Sequence, residues 1–357
     1  MAAIDALLRH LKANKGSDLH LIADAEPRIR TRGALEVIEG SRVIAGTDLR
    51  GILREIVSED QWGHFERELE LDFAYQLPGV ARFRANYFNQ ASGAAAVFRQ
   101  IPEDVLTLKD LNMPASIERL AHLRSGLVLV TGPTGSGKST TLAAIIDVIN
   151  ENYSKHVVTI EDPVEFVHKN KQSVFSQREV GTHVESFESA LRAVMRQNPD
   201  VILVGEMRGR ETELAIAAAE MGALVFGTLH TNSAAKTIDR LIDIFPTDKQ
   251  AQIRISLADA LAGVVAQLLI PTADGHGRVA SLEVLMKTSA LPNLIREGNT
   301  AQLITLMQGG RALGMQTMDD HLEQLVRTGT IRAKDAYQRG TDKVRFEALM
   351  NVPVEPE

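Results

Sequence analysis

Apolar and polar residues alternate along this 357-residue chain with two different rhythms, and the change of rhythm divides it. Near the start, Ile4, Leu7, Leu8 and Leu11 fall at i, i+3, i+4 and i+7, which predicts a helix that ends by Gly16. Asp18 to Ile22 (DLHLI) alternates like a half-buried strand. Thr47 is placed to cap a helix that carries Leu49, Ile52, Leu53 and Ile56 on one side. Three strand-like runs follow, Leu71 to Leu77, Val80 to Phe88 and Ala94 to Ile101. Pro78-Gly79 and Ser92-Gly93 separate them, so adjacent antiparallel pairing is expected. Residues 1–100 therefore read as a small α+β domain.

Residues 101–114 (IPEDVLTLKDLNMP) have no clear period and read as a linker. From there to about residue 285 the chain alternates apolar strands with amphipathic helices. Leu127 to Val130, Val157 to Ile160, Val201 to Val204 and Leu224 to Leu229 are near-continuous apolar runs, as strands covered on both faces require. Helices are expected over 139–151, 187–197 and 211–221, with Ser186 capping the second and Asn198-Pro199 stopping it. This alternation predicts an α/β fold with a parallel sheet and right-handed crossovers. The last quarter, 286–357, reads as helical. Thr317 has capping-box spacing to Asp320, an apolar stripe of Met318, Leu322, Leu325 and Val326 follows, and Gly329 ends it. The final NVPVEPE is expected to fray.

Composition narrows the function. Hydrophobic residues make up 44% and charged residues 24%, which excludes a wholly disordered chain. There is no cysteine, and thus no disulfide, thiolate zinc site or cysteine nucleophile. A net charge of −7 with 4% aromatics argues against nucleic acid as the main partner. The most apolar stretch, Leu261 to Ile270, is about half of what a membrane-spanning helix needs, and it contains Gln267. The N-terminus does not resemble a secretory signal, so a cytoplasmic location is the expectation.

The chemistry is concentrated in Gly132-Pro133-Thr134-Gly135-Ser136-Gly137-Lys138-Ser139, which fits G-x-x-x-x-G-K-[ST] and lies between a strand and a helix. Glycines let backbone N–H groups converge on phosphate, and the helix N-terminus adds partial positive charge. Lys138 is placed to reach the β- and γ-phosphates, and the Ser139 hydroxyl to ligate Mg²⁺; Thr140 completes the helix entry. Further candidates lie at strand ends. Glu206 ends the run VILVGE and either acts on water beside the γ-phosphate or caps the next helix. Glu161 and Asp162 either hold Mg²⁺ through water or decorate a loop, and His230 is either a site residue or structural. What favours the functional alternatives is convergence, because ligands of open parallel sheets lie beyond the carboxyl ends of the strands.

Taken in order, GSDLHL (from Gly16), VARFRANYFNQ (from Val80), GLVLVTGPTGSGKSTTLA (from Gly126), TIEDPVEFVH (from Thr159), QREVG (from Gln177), NPDVILVGEMR (from Asn198), GTLHTNSAAKTIDR (from Gly227) and GMQTMD (from Gly314) resemble the secretion ATPase superfamily, most closely its PilT-type members that retract type IV pili. That resemblance implies a RecA-like core behind a PAS-like N-terminal domain. It makes 132–139 the Walker A loop, Glu161 with Asp162 the Asp box, Glu206 the catalytic Walker B glutamate and His230 a phosphate-sensing residue. It also implies that Arg84 and Arg99 reach nucleotide phosphate from the N-terminal domain; without it, both read equally as solvated strand arginines. ATP with Mg²⁺, a homo-hexamer, an inner-membrane pilus platform protein (PilC-type) and a paralogous retraction ATPase are the partners implied, at the cytoplasmic face of the inner membrane. The stretch Ala290 to Glu297 reads ALPNLIRE where retraction ATPases usually carry AIRNLIRE, so Pro292 replaces an arginine and leaves an accessory PilU-like role open. Assembly and type II secretion relatives generally carry a four-cysteine zinc insertion, which a chain without cysteine lacks.

Overall fold

The computed structural model describes residues 2–31, 33–101 and 105–350. The chain divides into two units, one formed by residues 1–104 with 163–167 and the other by 105–162 with 168–357.

The first unit contains α1 (Ala3–Ala13), β1 (Asp18–Ile22), β2 (Arg28–Thr31), β3 (Ala34–Val37), α2 (Gly46–Arg54), α3 (Glu59–Glu68), β4 (Glu70–Leu77), β5 (Ala81–Gln90) and β6 (Gly93–Ile101). The strands form one antiparallel sheet in the order β3-β2-β1-β6-β5-β4. Alternation along them sends Leu19, Leu21, Phe73, Phe83, Tyr87 and Phe98 into a core shared with Ile4, Leu8, Leu49 and Leu53 of α1 and α2. Many of the opposite positions, among them Asp72, Arg82, Arg84, Asn86 and Arg99, carry polar or charged side chains, as the solvated face of an antiparallel sheet does. Strands β4, β5 and β6, with their antiparallel pairing, match the sequence pattern. Thr47 does not cap α2. The helix opens at Gly46 behind Ala45, with no side-chain cap, and Thr47 lies inside its first turn.

The second unit contains α4 (Ala115–Ala121), β7 (Gly126–Thr131), α5 (Lys138–Asn152), β8 (His156–Glu161), β9 (Val174–Glu179), α6 (Phe187–Val194), β10 (Val201–Val204), α7 (Glu211–Glu220), β11 (Leu224–Leu229), α8 (Ala234–Asp243), α9 (Thr247–Ala260), β12 (Leu261–Pro271), β13 (Arg278–Met286), α10 (Leu291–Arg296), α11 (Leu303–Gly309), α12 (Met318–Arg327), α13 (Ala333–Arg339) and α14 (Lys343–Met350). Its seven strands lie in the order β13-β12-β7-β11-β10-β8-β9, and every neighbouring pair is parallel except β12 with β13. Strand β7 shows why the sheet needs apolar residues at every position. Leu127 and Leu129 enter a core with α6 to α9, while Val128 and Val130 enter another with α4 and α5. Burying such side chains contributes about 1.5–3 kcal/mol each, which makes this sheet a stiff base for whatever its edge carries.

Several boundaries differ from the sequence pattern. Helix α6 ends at Val194 rather than 197, and Asn198 then turns the chain with a φ of 52°. The apolar stretch 261–270 is a strand that joins the parallel sheet, and β13 follows it as an antiparallel edge strand that ends where the helical region begins. Helix α9 ends at Ala260 and β12 begins at Leu261, with no residue between them. Residues 105–114 are not an open connector. Asp110 accepts hydrogen bonds from the Thr107 N–H and hydroxyl, and Leu108 is buried in the core that faces α5. Residues 102–104 of the expected linker, and the terminal NVPVEPE, lie outside the described residues. Thr317 and Ser186 cap α12 and α6 as their spacing predicts.

Helix α10 packs on α9: the Arg254 guanidinium donates to the Ile295 carbonyl, and Arg296 pairs with Asp259. Pro292 occupies the first turn of α10, where its missing N–H has no intrahelical partner to lose.

Candidate active site

Strands β7, β11, β10 and β8 are consecutive in the sheet and parallel, so their carboxyl ends share one edge. The glycine loop leaves β7 at Gly132 and enters α5 at Lys138. Gly132 has a φ of 149°, and a Cβ there would lie 2.2 Å from the Gln267 carbonyl oxygen and 2.6 Å from Ser136 Oγ. Only glycine allows this approach. Gly137 caps α5 with a φ of 86° and offers no side-chain cap, so the first-turn N–H groups of a long helix are left for another acceptor. Ser136 Oγ is buried without a hydrogen-bond partner among the described residues. Lys138 folds over the loop, its Nζ donating to the carbonyls of Gly132 at 2.8 Å and Pro133 at 3.2 Å. A glycine cradle, uncapped amides and a buried spare hydroxyl fit an anionic polyphosphate.

The loop that follows β10 places the acids. The Gly205 N–H donates to the Ile160 carbonyl at the end of β8, and a Cβ on Gly205 would lie 3.2 Å from Glu161 Cα. The Met207 N–H donates to the Thr228 carbonyl on β11. Glu206, between these two anchors, is therefore fixed beside both neighbouring strands. Its carboxylate accepts both arms of the Arg208 guanidinium fork and a contact from His230 Nε2 at 2.8 Å. Partial burial pushes its carboxyl upward, but the Arg208 and His230 interactions outweigh that and hold it below the usual carboxylate range. Glu206 is thus ionised at neutral pH and able to orient a water or take its proton.

His230 is in turn fixed through its own loop: the Thr231 and Thr237 hydroxyls lie 2.7 Å apart, and Thr237 donates to the Ser233 carbonyl. Glu161 ends β8, with the Gln177 amide donating to it at 3.4 Å. Asp162 adds to the field that keeps Arg208 charged, behind the larger contribution of the Glu206 hydrogen bond. Ser139 and Thr140 are half-buried in the first turn of α5. No group of three or more acidic, histidine or cysteine side chains among the described residues is arranged to hold a metal ion alone. The donor set here, one hydroxyl and separate carboxylates, suits Mg²⁺, which takes few protein ligands and relies on phosphate oxygens and water.

Arg84 and Arg99 belong to the other unit. They are direct cross-strand partners on β5 and β6, and two acids offset their repulsion. Asp72 holds Arg84 at 2.7 Å, and Asp18 holds Arg99 at 2.8 Å. Sequence reasoning did not single out Arg208 or Gln267 for the site. Arg208 stood inside a quoted motif, two residues from its partner Glu206, and Gln267, whose partners come from distant sequence, was visible as one polar residue in an apolar run.

A glycine phosphate loop between a buried parallel strand and a helix, with an ionised glutamate two strands away on the same sheet edge, defines a P-loop nucleoside triphosphatase. The model of one such family, Type II/IV secretion system protein, matches residues 2–353. The chain belongs to that family. It is 48% identical over 337 residues to the type IV pilus retraction ATPase PilT of Pseudomonas aeruginosa, covering 94% of this chain and 97% of that one. It is 47% identical over 338 residues to a twitching motility protein of Neisseria gonorrhoeae, covering 94% and 90%. A crystal structure of the pilus retraction motor PilT with bound ADP matches with a TM-score of 0.90 at 43% identity, over 97% of this chain and 99% of that one.

Proposed function

We propose that this protein is the motor that retracts type IV pili, hydrolysing ATP at the edge formed by β7, β11, β10 and β8. The observation that carries the reading is the glutamate held ionised between Arg208 and His230 on the same sheet edge as the glycine loop. Residues 132–140 grip the polyphosphate through loop amides and the α5 N-terminus, with Lys138 leaving its carbonyl contacts to meet the β- and γ-phosphates. The Ser139 hydroxyl would hold Mg²⁺, and the carboxylates of Glu161 and Asp162 would meet it through water. The ion, once bound, neutralises charge that builds on the phosphates. Glu206 orients the attacking water and takes its proton, and His230 senses the terminal phosphate.

The working form is a homo-hexamer at the cytoplasmic face of the inner membrane, acting on the pilus platform protein beside a paralogous retraction ATPase. None of the helices among the described residues is long and apolar enough to cross a membrane. Arg84 and Arg99 act on the nucleotide of a neighbouring subunit, where guanidinium forks neutralise phosphate charge. Arg84→Ala is accordingly expected to abolish turnover in uniform rings and to regain part of it in mixed rings with wild-type neighbours, read as ATPase activity against mixing ratio. Without recovery in mixed rings, Arg84 does not act across subunits.

Deleting the gene tests the function itself. Excess surface pili with loss of twitching is the expected result; bald cells would overturn it in favour of assembly. Pro292 favours a second reading, an accessory retraction ATPase, and a deletion strain that still twitches would select it.

Arg208 supplies a test with a sign. Its fork opposes the effect of burial on Glu206, so in Arg208→Ala the Glu206 pKa rises. Turnover needs the ionised carboxylate, so the acid limb of the kcat/KM–pH profile moves to higher pH. An unmoved limb would remove Glu206 from the reaction.

A further inference from the structure

Gln267 is 2% exposed and stands in β12 among residues that are otherwise apolar, a costly place for an amide unless each polar atom is paired. Both are. Its Nε2 donates to the Ser136 carbonyl at 2.7 Å, and its Oε1 accepts from the Thr141 hydroxyl at 2.8 Å. Ser136 belongs to the phosphate loop and Thr141 to the first turns of α5, where it is fully buried. The backbone of the same residue faces Gly132, whose absent Cβ would lie 2.2 Å from the Gln267 carbonyl oxygen. Strand β12 pairs with β7 up to Ala266 opposite Thr131, so Gln267 is the first residue of β12 to stand beside the loop rather than beside the strand.

We propose that Gln267 is a positioning residue for the polyphosphate, an inference that rests on the nucleotide reading of this site. In a planar trans peptide the C=O and the following N–H point in opposite directions. Drawing the Ser136 carbonyl towards β12 therefore turns the Gly137 N–H away from β12 and presents it to the phosphate. The Thr141 contact fixes the register between this peptide and the helix entry. An amide is suited to the task because it is neutral, donates at one end and accepts at the other; a glutamate carboxylate would face the Ser136 carbonyl with a second acceptor. Gln267 touches no reacting atom and acts only through the loop.

Binding and steady-state assays on the full chain separate this role from a structural one. Gln267→Leu keeps the bulk and removes both hydrogen bonds. It is expected to weaken Mg·ADP binding, and to raise the KM for ATP, by about tenfold, as two hydrogen bonds of ordinary strength imply. The value of kcat should fall by less. Thr141→Val, which removes one bond, should give a smaller loss in the same direction, and Thr141→Ser should restore wild-type affinity. These Thr141 variants carry the test if Gln267→Leu does not fold. Wild-type Mg·ADP affinity in folded Gln267→Leu, or in Thr141→Val, would overturn the proposal. A wild-type chain that binds no Mg·ADP would overturn the nucleotide reading, and with it this inference.

Discussion

Replacing Glu206 by glutamine is expected to lower ATP turnover about 10²-fold or more, as loss of a group acting on the attacking water does, while nucleotide affinity stays near that of the wild type. The substitution keeps the size of the side chain and removes its charge. An amide cannot take a proton from water, and its NH₂ would oppose the Arg208 fork that the carboxylate now accepts. Affinity should be spared because the proposed phosphate loop runs between β7 and α5, across β11 from Glu206. Single-turnover hydrolysis and an ADP titration measure the two quantities separately. Wild-type turnover in this variant would assign the water-activating role to another residue.

The second large effect is expected at Gly132. A Cβ here meets the Gln267 main chain, which β12 holds in register, as well as Ser136 Oγ. Backbone cannot rotate aside as a flexible side chain can. Overpacking and a disfavoured φ together cost about 2–5 kcal/mol. Gly132→Ala should therefore reduce ADP affinity by about 30-fold or more, at roughly 1.4 kcal/mol per decade. Gly135 is the internal control. Its φ of 76° also favours glycine, yet nothing lies within 4 Å of a Cβ there, so Gly135→Ala bears only the conformational cost of about 1–2 kcal/mol. Equal effects of the two substitutions would show that the close approach to β12 does not matter.

What could be read from the chain alone was whatever depends on neighbours in sequence. The run LVLV, the glycine loop and the helix behind it are contiguous, so their arrangement follows from local pattern. The strand ends at Glu161, Glu206 and His230 were legible because both-face burial leaves a continuous apolar signature. Four-residue β2 and β3 were not, since Ala34–Val37 is exposed at every position and carries no burial pattern to read. Strand β12 was ambiguous for a different reason. A ten-residue run that is apolar except at Gln267 suits a buried strand or a buried helix, and only its pairing between β7 and β13 decides. Arg208 and Gln267 lay beyond reach because their roles come from contacts: one neutralises a carboxylate two residues away, and the other joins segments more than 120 residues apart in the chain.

The direct passage from α9 into β12 has a mechanical meaning. A connecting loop would act as a slack cable, absorbing displacement by bending its own torsions. Here Ala260 ends a helix and Leu261 begins a strand, so a push delivered to α9, for instance through the Arg254 and Asp259 contacts with α10, enters β12 directly and passes only the register shift between Leu261 and Gly263 before the residue that abuts the glycine loop. Load on the C-terminal helices and grip on the nucleotide are thereby connected in series, as a lever is to its latch.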